Sequence, residues 1–207
     1  MINWYVWLSA VAVYGVFRAW YDNRRGRITP AEIDFFLDRG ARHGAGDVND
    51  LTIIRRFLEQ DDGREFFMVN LVKYTGDIPH PETGAPTTGQ AMLQQYSRSF
   101  VKNMLRYGGH PALAARKIGG YVDAWQVPPD PGWNITGFMR YRSRRDMIDM
   151  ATDPKFNGIH KFKIAGVGET FSFPSQPIVM LLFGPRIWVA MVLLLVAAFI
   201  QIALLLK

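Results

Sequence analysis

From Glu65 to Tyr74 the chain reads EFFMVNLVKY, a run dense in aromatic and branched side chains and about as long as one β-strand. It is read as the first strand of a folded section, and the segments after it set the topology. Asp77 to Thr88 is proline-rich and reads as a loop. Gly89 to Tyr107 carries Leu93, Tyr96, Phe100, Val101, Met104 and Leu105 at three-to-four spacing, which is helical, and Gly108-Gly109 closes that helix. A second strand is expected from Ala112 to Val127, interrupted by a bulge at Gly119-Gly120, with a turn forced from Pro128 to Gly132.

Trp133 to Tyr141 reads as a third strand, because Ile135, Gly137, Met139 and Tyr141 alternate with Thr136, Phe138 and Arg140. Ser143-Arg144-Arg145-Asp146 then has the spacing of a capping box, and Met147, Ile148 and Met150 supply an apolar helical face. Asp153-Pro154 interrupts that helix, a further helical piece runs from Lys155 to Gly166, and Glu169 to Phe173 is a short last strand. The order strand, helix, strand, strand, helix, strand is that of a ferredoxin-like βαββαβ unit, an antiparallel sheet with helices on one face. The other face of such a sheet needs cover, commonly from a second copy.

Upstream, Thr29-Pro30-Ala31-Glu32 supplies an N-cap, a first-turn proline and a first-turn acid, and Ile33, Phe36 and Leu37 follow at helical spacing. Gly40 to Gly46 breaks this helix; a second one, marked by Leu51, Ile54, Phe57 and Leu58, ends at Asp61-Asp62-Gly63. Residues 24–63 are therefore expected to be a helical connector ahead of a domain at 64–174.

The two ends are apolar. Ile187 to Leu206 reads IWVAMVLLLVAAFIQIALLL, with Gln201 its one polar side chain, long enough to cross a hydrocarbon layer of ~30 Å. Trp4 to Phe17 is shorter and reads as a second span or else as a helix lying in the interface; Trp4, Tyr5 and Trp7 at one end and Trp20 and Tyr21 at the other, the double aromatic belt, favour the span. Arg24, Arg25 and Arg27 follow it, so the positive-inside rule puts the middle section in the cytoplasm and both termini outside. The expected fold class is α+β: a ferredoxin-like domain with N-terminal helices, lying between transmembrane helices at 1–23 and 187–207, with a linker at 175–186. Within the second span Ala190, Ala197 and Gln201 share one helical face, which is either a packing stripe of two small residues and an amide that lets another helix approach, or common alanines with Gln201 nearing the interface.

The net charge of +6 arises from 24 basic and 18 acidic residues spread along the chain. It fits membrane topology and attraction to anionic lipid better than nucleic acid, which is not expected as a partner. The absence of cysteine excludes disulfides, thiolate nucleophiles and Cys-based metal sites. His43, His80 and His110 lie on Gly- or Pro-flanked segments without ligand spacing, so no metal and no cofactor are expected.

FFMVNLVKY and MRYRSRRDMIDMATDPKFNGIHKFKIAGVGETFSFP resemble the DUF1330-type branch of the dimeric α/β-barrel superfamily. There the first strand has a similar V-N-L-hydrophobic-K-aromatic pattern, and the third runs into R-Y-x-S-R and an M-x-x-D-P-x-[FY] helix. The resemblance covers Phe66 to Pro174 and implies two ferredoxin-like units pairing through their sheets. It implies no single reaction, since relatives in the superfamily include cofactor-free monooxygenases, cyclases and structural domains; the flanking apolar segments depart from the family's free soluble domain.

Candidate chemistry is sparse. Asn70 shares a strand face with Met68, Val72 and Tyr74, where its amide could orient a carbonyl or phenol, or could equally bond a neighbouring loop or cap. His160 lies where the family's helical His/Arg-rich segment falls and is the best candidate for acid–base work. Arg140 and Arg142, with Arg144 and Arg145, could bind an anionic ligand or a phospholipid headgroup, and Tyr74 could line the same pocket. The leading expectation is a noncatalytic accessory subunit of a bacterial inner-membrane complex, packing against other membrane subunits or a second copy. The alternative is a cofactor-free monooxygenase or cyclase, or a binding protein, for a hydrophobic ring compound such as a quinone.

Overall fold

A computed structural model describes residues 2–42, 50–180 and 184–206. His43 lies outside the described residues. The chain divides into two compact units, Met1–Arg24 with Pro177–Lys207, and Arg25–Gln176.

The first unit is a hairpin of α1 (Trp4–Tyr21) and a C-terminal helix, α7 (Pro185–Leu205). Asn3 caps α1 by accepting from the Tyr5 amide, and its own backbone N–H donates to Gln201 Oε1 at 2.8 Å near the far end of α7. At the other end Tyr14 donates to the Arg186 carbonyl, and Asp22 holds both Arg18 and Arg186. The helices are therefore antiparallel. Ala197 and Gln201 are buried in their seam, whereas Trp4, Leu8, Val11, Val16, Leu194, Leu195 and Phe199 are exposed. Among the described residues α7 is the helix long and apolar enough to cross a bilayer. The tryptophans, tyrosines and Arg18 of α1 keep it short of that mark, so a second span is not carried by length and composition.

The second unit contains, in chain order, α2 (Pro30–Ala41), α3 (Leu51–Glu59), β1 (Phe66–Tyr74), β2 (Asp77–Pro79), β3 (Pro86–Thr88) and α4 (Gly89–Arg106). β4 (His110–Arg116), β5 (Ile135–Tyr141), α5 (Arg144–Ala151), α6 (Pro154–Gly166) and β6 (Val167–Ser175) follow. Four strands form one antiparallel sheet in the order β4-β5-β1-β6, so the unit is α+β. Register pairs Phe66 with Tyr141 and Met68 with Met139, and this face packs against Phe100 and Met104 of α4 and Met150 of α5. The opposite, outer face carries Phe67, Val69 and Leu71 of β1, opposite Phe138, Phe171 and Phe173 of the flanking strands.

Local signals explain most element ends. Gly108 takes φ +70°, its N–H reaches Leu105 O, and Gly109 N–H reaches Met104 O, the pair of bonds that satisfies the last carbonyls of α4. Thr29 and Glu32 form a reciprocal capping box on α2, and the Ser143 hydroxyl caps α5 at the Asp146 amide. α4 and α6 meet at Gly89 and Gly166, where a Cβ on Gly166 would sit 2.7 Å from the Gly89 carbonyl oxygen.

Four expectations are corrected. Asp77 to Thr88 is a small hairpin rather than a loop, with Asp77, Ile78 and Pro79 opposite Thr88, Thr87 and Pro86; its prolines pair at the hairpin's end, where a missing ladder donor costs least. The second strand is His110–Arg116, and its irregularity falls at Pro111–Leu113 rather than at Gly119-Gly120. Residues 117–134 form no regular element, because Ile118, Val122 and Trp125 of the apparent alternation have no sheet neighbour to bury them and are 91%, 101% and 81% exposed. The last strand extends over Val167–Ser175, since β1 pairs along nearly all of it. Lastly, 24–63 is no mere connector: α2, α3 and α5 bury Ile33, Phe36, Leu37, Leu58 and Ile148 in one cluster, joining the helices to the sheet unit. Roughly 1.5–3 kcal/mol per fully buried side chain of this kind is enough to hold the two segments together.

Candidate functional site

Asn70 sits mid-sheet, and its amide is fully employed. Its nitrogen donates to the carbonyls of Met68 at 2.9 Å and Gly137 at 3.3 Å, and its oxygen accepts from the Ser172 hydroxyl at 2.7 Å. The side chain thus ties β1 to both neighbours. An amide committed in this way gives a ligand nothing without losing a bond worth about 1 kcal/mol.

His160 stacks on Tyr96 with ring centroids 6.1 Å apart, and Lys163 places its ammonium 6.0 Å from the same ring. The local sequence accounts for this: α6 presents residues 159, 160, 162 and 163 across the groove to Met92, Tyr96 and Phe100 of α4. Burial pushes the His160 imidazole below its ordinary pKa, and the Lys163 charge adds to the effect. Burial likewise lowers Lys163 and raises Tyr74 and Tyr96. The imidazole is therefore neutral at neutral pH and competent as a base in charge state, although its ring is engaged in packing. Tyr74 is half-buried at the end of β1, opposite Val167 past a register shift, with its backbone N–H bonded to Asn134 Oδ1.

The four arginines are struts. Arg140, 1% exposed, reaches Glu65 through two guanidinium nitrogens and Gly108 O at 2.6 Å. Arg142 makes a two-pronged bond to Asp146 at 2.8 and 2.6 Å, and Arg145 does the same to Glu32. Arg144 lies over the Phe57 ring, donates to the Phe57 carbonyl and faces Asp61. Arg140 and Arg142 do not share a strand face, because β5 ends at Tyr141. The expected open anion site is thus corrected: each guanidinium is already held by a carboxylate of the same chain.

Among the described residues no group of three or more His, Asp and Glu is placed to hold a metal. Two shallow depressions, one along Leu37, Asp38 and Arg55 and one along the β2–β3 hairpin, include none of Asn70, Tyr74, Arg140, Arg142 and His160.

The outer sheet face carries exposed apolar side chains. Leu113, Phe171 and Phe173 are each 47% exposed there, beside Phe67, Leu71 and Phe138. Trp133 packs edge-on to Phe171 with centroids 5.2 Å apart and donates its indole N–H to the Tyr121 hydroxyl. These residues were not singled out from sequence. The signal was present in β1, which is apolar on both faces, a pattern of strands covered on both sides.

No protein-family model and no curated protein matches the chain. Among solved structures it is similar to RPA0582, a protein of unknown function from Rhodopseudomonas palustris, with 20% identity and a TM-score of 0.53 over 64% of this chain and 96% of that one. The methylated form of RPA0582 gives 21% identity and a TM-score of 0.54 over 63% and 93%. At this identity the likeness concerns the fold alone.

Proposed function

We propose that the chain is a membrane-anchored accessory subunit whose middle unit is a ferredoxin-like domain of the DUF1330-type, dimeric α/β-barrel kind. The observation carrying the proposal is the outer sheet face, where Leu113, Phe171 and Phe173 stay exposed on one side of a β4-β5-β1-β6 sheet whose other side is packed. An apolar face of this kind calls for a protein partner, either a second copy or another membrane subunit. The apolar length of α7 supports the anchor, and the α1–α7 hairpin supports a two-pass arrangement in a bacterial inner membrane, with the middle unit cytoplasmic. The saturation of Asn70, Arg140 and Arg142 by their own chain favours this reading over catalysis. Extraction of the full chain in mild detergent tests it: a stoichiometric partner or homodimer is expected, and a lone monomer contradicts it.

One observation favours a second reading, a cofactor-free enzyme or binding protein for a quinone-like ring. It is the neutral imidazole of His160 against Tyr96, with the desolvated Lys163 beside them. Quinone turnover or binding lost in His160→Ala would support it, and indifference to that substitution would remove it.

A further inference from the structure

We infer that the outward face of α4 is a docking surface for anionic phospholipid headgroups. The inference rests on the reading that α7 anchors the chain in a bilayer, and goes beyond it by naming where the middle unit meets the membrane.

α4 contains 18 residues and no acid. Its inward face is Met92, Tyr96 and Met104, and its exposed face runs through Gln94, Arg98, Lys102 and Arg106. The three cations stand at i, i+4 and i+8, about 12 Å from first to last along the helix. Such like-charge spacing destabilises a helix slightly rather than supporting it. Some exposed cations of the unit are neutralised locally, as in Arg55–Asp34, Lys73–Glu169 and Lys161–Glu82, whereas the α4 cations stand together on one helix face. No described carboxylate lies within ion-pair distance of Arg98, Lys102 or Arg106. A single-sign stripe left without internal partners is the complement of an external polyanion.

The choice of lipid follows from two further features. The face presents no aromatic side chain between its cations, whereas single-stranded nucleic acid is held by stacking as well as charge. Leu105, 45% exposed beside Arg106, can enter the interfacial region while the arginine head stays with phosphate. The leaflet that attracts cations is the one facing Arg24, Arg25 and Arg27 under the positive-inside rule. Three cations at such a surface shift the ratio of docked to undocked domain by roughly a hundredfold.

The chain has no cysteine, so Ser99→Cys, exposed beside Arg98, offers a unique site for a fluorophore. The labelled full chain is reconstituted in phosphatidylcholine nanodiscs with and without phosphatidylglycerol, and energy transfer to a headgroup acceptor is measured. Transfer is expected to rise with phosphatidylglycerol and to fall to the phosphatidylcholine level at high salt or in the Arg98→Gln/Lys102→Gln/Arg106→Gln variant. Equal transfer in both lipids, or an unchanged triple variant, overturns the proposal. So does an RNA oligonucleotide that strips the label from phosphatidylglycerol discs, which would assign the stripe to nucleic acid. Co-elution of the chain with discs of either composition reads the anchor separately: failure to co-elute contradicts α7 as an anchor, whereas co-elution with composition-blind transfer contradicts the α4 assignment alone.

Discussion

Arg145 clasps Glu32 across 113 residues of sequence, Nε to Oε1 at 2.9 Å and Nη2 to Oε2 at 3.0 Å. The Arg145 side chain is 3% exposed and also donates to the carbonyls of Gly26 and Arg27. This pair, with Arg39 on Asp149 and Thr152, fastens α2 to α5 and makes the N-terminal helices part of the sheet unit.

Acid sensitivity follows from that pair. The Arg145 guanidinium, followed by the Thr29 amide and hydroxyl, overcomes burial and holds the Glu32 carboxyl down at about 2, against an ordinary value of 4.5. A depressed carboxyl contributes stability that is present above its unfolded pKa and lost as pH falls through its folded one. Unfolding followed from pH 4.5 down to about 2 should therefore show a loss of ~1–2 kcal/mol from this site, after discounting for partial exposure. Glu32→Gln should remove that portion of the pH dependence, and an unaltered acid limb would refute the assignment.

Glu65→Gln takes away the carboxylate that the Arg140 guanidinium, 1% exposed, holds through two nitrogens, and is expected to cost about 3 kcal/mol. The paired change Glu65→Leu/Arg140→Met should recover most of it, because it removes the stranded charge together with its partner. Denaturant midpoints of the three proteins decide the matter.

Gly166→Ala and Gly108→Ala separate two uses of glycine. At Gly166 a methyl would meet the Gly89 carbonyl, Leu93 N at 3.0 Å and Met92 Cβ at 3.0 Å, so α4 and α6 must part at a cost of about 2 kcal/mol. At Gly108 the penalty is conformational, about 1 kcal/mol for a left-handed alanine. Hydrogen exchange should loosen along α6 in the first variant and at the α4–β4 junction in the second.

Gln201→Leu removes the acceptor for the Asn3 N–H and should weaken the α1–α7 hairpin by about 1 kcal/mol. Cross-linking of the two helix ends in detergent should fall, while the helicity of α7 is unchanged.

Much of the topology was legible because its signals are local. The apolar run of β1, the Gly108-Gly109 stop, the Ser143 cap and the alternation of β5 each read correctly on their own. The errors arose where a local pattern lacked its tertiary counterpart. Residues 118–127 carry strand-forming side chains but meet no neighbouring strand, and 77–88 looks like a loop because its hairpin is only three residues deep on each side. The arginines misled for the same reason. Their clustering at 140–145 is visible in sequence, whereas Glu65, Glu32 and Asp61, which hold three of them, lie far upstream. The outer face was half legible, since β1 shows its two-sided apolarity but Phe171 and Phe173 acquire meaning only once β6 is set beside it.

The most direct test of the central claim is the mass of the full chain in mild detergent by light scattering, compared with a Phe171→Asp/Phe173→Asp variant. The parent should run as a homodimer or in a stoichiometric complex and the variant as a folded monomer. A monomeric parent, or a variant that keeps its partner, would contradict the outer sheet face as the interface.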